Sequence, residues 1–254
     1  MRELDWEANL PDLARLRCAI VGAGRLGRAL AAGLRDGGIE VDGPLGRGAD
    51  AADADVVLLC VPDGEIAAAA GAIADGRDRF VGHCSGATAL DVLAPHEAFS
   101  LHPLMSVPAE GAARLAGASA AVAGSTPRAR ALAAALALRL GLTPVAVADE
   151  DRVAYHAAAS LASNFLVALE AAAERLAATA GVEREALVPL VRATVENWAS
   201  LGPERALTGP LVRGDEATVA RQREAIEQRA PELLGLFDAL AEATRALARA
   251  GAPA

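Results

Sequence analysis

The chain has 254 residues, 53% of them hydrophobic, with a formal net charge of −9. That is enough apolar material for one large or two modest domains, and the acidic balance argues against nucleic-acid binding through a broad basic face. No apolar run reaches the roughly 18 residues a membrane span needs, and the stretch MRELDWEANLPDLARL mixes acids into its apolar residues, unlike a signal peptide. A cytoplasmic protein with no membrane partner is therefore expected. All 24 basic residues are arginines, so any chemistry that needs a lysine is excluded. Cys18, Cys60 and Cys84 lie in or beside predicted strands without metal-ligand spacing. They are expected as buried free thiols, with no metal site.

The residues before Arg17 read as an acidic lead-in with one helical turn around Trp6. Cys18 to Val21 then forms a short apolar strand that opens into Gly22-Ala23-Gly24-Arg25-Leu26-Gly27, followed at once by an Ala/Leu-rich helix. This is the strand, tight turn and helix start of a dinucleotide-binding unit. Gly22 serves the turn, Gly24 lets the backbone approach a pyrophosphate, and Gly27 lets helix and strand pack closely. With Arg25 and Leu26 they form the expected cofactor loop, whose free N–H groups at a helix N-terminus favour an anion. Asp36-Gly37-Gly38 ends the helix, and Ile39 to Leu45 leads as a second strand into Gly46-Arg47-Gly48. Asp42 has the sequence distance of an acid that reads the ribose of NAD, but it lies inside the strand. Arg47 lies at the strand end, where the 2′-phosphate of NADP would be, so NADP is favoured over NAD.

Gly48 to Asp55 is short for a crossover helix. Val56 to Val61 is a continuous apolar run, as suits a parallel strand buried on both faces. Pro62-Asp63-Gly64-Glu65-Ile66 then enters a helix running to about Ala74, and Phe80 to His83 gives another strand followed by Cys84-Ser85-Gly86-Ala87-Thr88. Ligands of open α/β sheets bind beyond the carboxyl ends of the strands. Val61, Pro62, Asp63 and Ser85 are accordingly assigned to the cofactor, with Ser85 best placed to reach the nicotinamide or substrate. Ser100 to Ser106 is a further strand carrying His102; a strand from Ala118 to Ala123, a helix from Pro127 to Leu140 and a strand from Pro144 to Ala148 complete the sheet.

The strand pattern stops after Asp149. The expected organisation is an α/β domain over residues 1–149 and an all-helical domain over 150–254, with helix breaks near Gly181, Gly202-Pro203 and Pro231. His156, Ser160 and Asn164 recur at intervals of four among small residues, which predicts a shared polar face on one helix. Unpaired burial of such a stripe is costly, so it should line a site. In Leu207-Thr208-Gly209-Pro210-Leu211-Val212-Arg213-Gly214-Asp215, Arg213 is a candidate clamp for a carboxylate substrate, and Thr218 supports the start of the next helix.

The order GAGRLG, LLCVPDGEI, HCSGA, SLHPLMS, YHAAASLASN and LTGPLVRGD resembles the Rossmann-like bacterial proteins that carry a helical C-terminal domain of unknown function. That family is related to pyrroline-5-carboxylate reductases, 3-hydroxyisobutyrate dehydrogenases and prephenate dehydrogenases. The resemblance implies a mostly parallel, doubly wound Rossmann sheet that binds NADP, a helical region that forms a homodimer, and an active site between them. In the hydroxyisobutyrate and ketopantoate relatives a catalytic lysine precedes an asparagine by four residues. If Asn164 matches that asparagine, Ser160 stands where the lysine would be.

The expected function is an NADP(H)-dependent oxidoreductase acting on a small carbonyl, hydroxyl or imine centre, on an acid. His156 is the first candidate proton donor and His102 the second, with Ser85, Ser160 and Asn164 orienting the reacting group. His102 and Arg213 are the candidate substrate contacts. Two alternatives stand beside it. One is an NADP-binding sensor or partner protein without turnover, suggested by the missing lysine. The other is an oxidative enzyme of the prephenate type with His102 as base, suggested by His102-Pro103.

Overall fold

The computed structural model describes residues 13–74, 79–107 and 115–251. The predicted turn around Trp6 lies outside these. The described residues fall into two compact units, the first ending at Ser163 and the second beginning at Asn164.

The first unit is built on a sheet of β1 (Arg17–Val21), β2 (Glu40–Leu45), β3 (Val56–Leu59), β4 (Phe80–His83), β5 (Glu97–Leu104), β6 (Ser119–Gly124) and β7 (Thr143–Ala146). Its spatial order is β2-β1-β3-β4-β5-β6-β7. The strands from β2 to β5 are parallel, β6 runs antiparallel to β5, and β7 is parallel to β6. This is the expected Rossmann-like α/β architecture. Strand limits follow the sequence reading closely, except that β5 starts at Glu97 rather than Ser100.

All residues of β3 are buried because both faces of the sheet are covered, and successive residues point to opposite layers. Ile20, Leu58, Phe99 and Leu101 pack with Leu30 and Leu34 of α1 (Arg25–Asp36) and with Leu132 and Leu136 of α3 (Pro127–Arg139). Val21, Val57, Leu59 and Val81 pack on the other side with Ile66 of α2 (Ile66–Gly71) and with Leu93. As its length predicted, the segment from Gly48 to Asp55 holds no helix.

A short 3-10 turn at Asp149–Asp151 leads into α4 (Arg152–Ala162), which belongs to the first unit. The second unit contains α5 (Asn164–Ala178), α6 (Arg184–Leu201), α7 (Pro203–Ala206), α8 (Glu216–Arg229) and α9 (Leu234–Ala250). Its small core joins Ala172, Ile226, Ala230 and Leu233. Asp215 caps α8, accepting from the Thr218 amide at 3.1 Å and hydroxyl at 2.7 Å. Among the described residues no helix is long and apolar enough to cross a membrane.

Candidate active site

The carboxyl ends of β1, β3, β4 and β5 share one edge of the sheet, and the residues singled out in their loops meet there. At β1, Gly22 adopts φ +115°, and a Cβ there would lie 2.3 Å from the Cys60 carbonyl oxygen. A Cβ on Gly27 would lie 2.0 Å from the Gly22 oxygen, so helix and turn touch backbone to backbone. Gly24 differs: a Cβ there would meet nothing within 4 Å. It is the N-cap of α1, and no side chain caps that end. The loop thus combines a tight turn, a close helix contact and an open cradle before uncapped amides, which fits a dinucleotide pyrophosphate. Arg25 beside it donates to the Val107 carbonyl at 2.9 Å, and Leu26 packs towards the core.

Arg47 stands at the end of β2, where the adenosine ribose would be read, and its side chain is 83% exposed. It pairs at 2.8 Å with Glu65, from the loop after β3. In the same loop Asp63 accepts the Ser85 hydroxyl hydrogen at 2.8 Å. Ser85 Oγ also accepts the amides of Ala87 (3.2 Å) and Thr88 (2.9 Å) and lies 2.9 Å from the Thr88 hydroxyl. Its bonding capacity is spent inside the loop, so Ser85 shapes the site rather than presenting a free hydroxyl to it.

The chemistry-bearing groups converge around Gly86. His102 Nδ1 of β5 lies 2.8 Å from the Tyr155 hydroxyl of α4, and the His102 ring meets those of Tyr155 and His156 edge to face. A Cβ on Gly86 would lie 2.6 Å from His156 Cδ2 and 3.0 Å from His102 Nε2, so only glycine fits between the two imidazoles. Burial, with smaller contributions from His156 and Arg152, lowers His102 to about 4, which keeps it neutral at pH 7. Burial also raises the Tyr155 phenol above its usual 10, so it keeps its proton.

Arg152 ties this group together. Only 1% exposed, it donates to Ser100 Oγ at 2.7 Å and to the Ser85 carbonyl at 2.5 Å, and its Nε faces Asp149 at 3.9 Å. The first turn of α4 is thereby fixed to β5 and to the Ser85 loop. Sequence reasoning missed Tyr155, Arg152, Ser100 and the buried His83. Tyr155 was legible only as the neighbour of His156, and a fully buried arginine has no sequence signature.

The helical stripe needs correction. His156 and Ser160 share α4, but α4 ends at Ala162 and Asn164 starts α5 in the other unit. Ser160 and Ser163 return their hydroxyls to the carbonyls of His156 and Ala159, both at 3.1 Å, an alternative that competes with regular helix. The interval of four from Ser160 to Asn164 is therefore not a shared helical face. Arg213 lies exposed in the second unit, on the turn between α7 and α8. An open groove of about 670 Å³, bordered by His96, Ser125 and Arg130, lies towards the opposite strand ends and contains none of the sequence-predicted residues.

These features define a Rossmann-like α/β protein with a helical C-terminal region. The family described as a domain of unknown function (DUF2520) matches residues 118–244, half of the chain, and the chain belongs to that family. No curated protein matches the sequence. Among solved structures, it is similar to a provisionally assigned NADP oxidoreductase of Bacteroides fragilis, with TM-score 0.78, 19% identity and coverage of 92% of this chain and 99% of that one. Protein TM1727 of Thermotoga maritima gives TM-score 0.75 and 25% identity over 92% and 98%. A pyrroline carboxylate reductase of Plasmodium falciparum with NADP bound gives 0.61 and 12% over 93% and 99%.

Proposed function

We propose that this protein is an NADP(H)-dependent oxidoreductase that moves hydride to or from a small carbonyl, hydroxyl or imine carbon of an acid. The observation that carries the reading is the placement of the open Gly24 cradle and the His102–Tyr155 pair at the same edge of one sheet. The oxidoreductase assignment of the Bacteroides fragilis relative and the NADP bound by the Plasmodium falciparum enzyme support it.

Bound NADPH would supply the hydride. The chain's own part is to hold the dinucleotide and move a proton. Amides of the loop from Gly22 to Gly27 take the pyrophosphate, with Arg25 and Leu26 flanking it, and Arg47 takes the 2′-phosphate after leaving Glu65. Val61, Pro62 and Asp63 border the path to the reacting centre. In reduction, charge grows on the substrate oxygen or nitrogen, and a positioned donor lowers the barrier. With a proton on Nδ1, neutral His102 donates to the Tyr155 oxygen and leaves the phenol hydrogen free for the substrate. Tyr155 backed by His102 then stands ahead of His156, which borders the substrate across Gly86. Ser160 of α4 remains a candidate beside the substrate, and Asn164 and Arg213 of the second unit stay candidates by their side-chain chemistry alone.

By function, residues 1–149 would hold the cofactor and 150–254 would serve substrate and dimerisation, with α4 packed in the first compact unit. Phe165, Val167, Leu190 and Trp198 of the second unit are each at least 58% exposed. Such surface suits an interface with a second copy, so light scattering should report a dimer and a monomer would refute it. The functional test is a fluorescence titration of NADPH against NADH, followed by NADPH oxidation with a panel of 2-keto acids and cyclic imines. Preferential NADPH binding with turnover is expected. Binding without turnover would favour the sensor reading, and no binding of either dinucleotide would overturn both.

A further inference from the structure

We propose that Cys60 and Cys84 form an oxidisable dithiol beneath the glycine loop, closed to a disulfide by a hydroperoxide. β3 and β4 are parallel with Leu59 opposite His83, and the next residue on each strand is a cysteine. Their sulfurs lie 3.7 Å apart. Neighbouring strands are spaced by about 4.8 Å, within the Cα separation of about 4.4–6.8 Å that disulfides span. Closing the bond to about 2.0 Å thus needs rotation of two side chains and a small backbone adjustment, not a change of fold.

The two thiols are unequal. Cys84 is buried, and its hydrogen bond to Cys60, together with burial, holds it protonated well above its usual range. Cys60 is the more exposed of the two, so it meets the oxidant first, and it reacts through its deprotonated form. The Cys60 thiolate attacks a hydroperoxide, ROOH, taking one oxygen and giving a sulfenic acid and ROH once a proton is taken up. Cys84 then attacks that sulfur, and the disulfide forms as hydroxide leaves and combines with the Cys84 proton as water. Over both steps two thiols are oxidised and one hydroperoxide is reduced, with ROH and water as products. Thiols restore the pair by exchange.

This site bears on the dinucleotide loop through direct contact. The Cys60 carbonyl fills the space beside Gly22, and the Cys60 Cβ lies 3.2 Å from the place of a Cβ on Gly27. Drawing Cys60 towards Cys84 moves the backbone on which the loop rests. Oxidation is therefore expected to weaken dinucleotide binding, a consequence that rests on the function proposed above, whereas formation of the bond does not.

The test treats the full-length protein with hydrogen peroxide and maps its cysteines by mass spectrometry after alkylation. The expected result is one Cys60–Cys84 cross-link with Cys18 still a free thiol, reversed by dithiothreitol. Cys84→Ser should stop at a sulfenic acid on Cys60, trapped by dimedone. Sulfinic acid on Cys60 with Cys84 still alkylated, or no oxidation under conditions that oxidise a model dithiol, would overturn the proposal. Titration of reduced and oxidised protein with NADPH then reads the coupling, with a loss of about tenfold or more expected on oxidation. Equal affinities would overturn the coupling alone, and binding by neither form would overturn the cofactor reading while leaving the cross-link standing.

Discussion

The Tyr155 hydroxyl lies 2.8 Å from Nδ1 of His102, a residue 53 positions earlier in the chain. The bond joins the first turns of α4 to β5, and both groups are neutral at pH 7, His102 because burial lowers it to about 4 and Tyr155 because its ordinary value is already high and burial raises it further. A neutral pair of this kind holds a proton ready without holding a charge.

If that proton goes to substrate, Tyr155→Phe should lower turnover by about 10²–10⁴, the usual range for loss of a general acid. The NADPH dissociation constant should stay within about twofold, because the phenol does not touch the glycine loop in this reading. Steady-state kinetics beside a binding titration separates the two. Unchanged turnover would pass the role to His156, which His156→Ala then tests.

The three loop glycines make separable predictions. Gly24 has φ −68° and open space at its Cβ, so Gly24→Ala should cost no more than about 1 kcal/mol of stability, the scale of a poorer N-cap. It should nevertheless weaken NADPH binding about tenfold by filling the cradle. Gly27→Ala forces a methyl against the Gly22 oxygen and should destabilise the fold by about 1–3 kcal/mol. Thermal melts run with and without NADPH distinguish these outcomes. A Gly24→Ala protein with undiminished affinity would remove the pyrophosphate from this loop.

The sheet and the glycine loop were legible because each rests on local rules. Strand burial on both faces gives apolar runs such as Val56 to Val61, and a turn that touches backbone demands glycine at Gly22 and Gly27. The cluster around Gly86 was only half legible. His102 and His156 stand out as polar residues in apolar stretches, but their meeting over Gly86 depends on how α4 docks on the sheet. That docking is set by Arg152, whose partners Ser85, Ser100 and Asp149 are scattered through the sequence. Periodicity alone misled at Asn164, because spacing of four has meaning only while the helix continues, and Ser163 interrupts it.

Arg47 and Glu65 form an exposed ion pair, 2.8 Å apart, at the place assigned to the 2′-phosphate. Arg47→Ala should cost NADPH about 1.5–3 kcal/mol, a charge-assisted bond, which is roughly tenfold or more in affinity. NADH should be unaffected. Glu65→Gln removes a carboxylate that competes with the phosphate, but exposed pairs are worth only about 0.2–1 kcal/mol, so the gain should be a few-fold at most. Parallel titrations with both dinucleotides check this pair of variants. Equal losses of NADPH and NADH on Arg47→Ala would show that Arg47 does not read the phosphate.

His83 ends β4 with no exposed surface, and its Nδ1 accepts the Ser85 amide at 3.2 Å. Burial, then the Arg152 charge, lowers it to about 4, against the opposing effects of the Ala89 backbone, Asp63 and Asp149. The unfolded chain regains the ordinary value of about 6.5 and so binds a proton first as pH falls. The associated stability is fully present above about pH 6.5 and is lost between there and pH 4, on the order of 3 kcal/mol for His83, with His102 acting in the same direction. Glu97, held below 4.5 by Arg128, contributes only at lower pH. Urea midpoints should therefore fall steadily from pH 7 to 4.5, and His83→Gln should flatten that slope. A wild-type profile that stays level to pH 4.5 would mean that neither imidazole is held neutral by the fold.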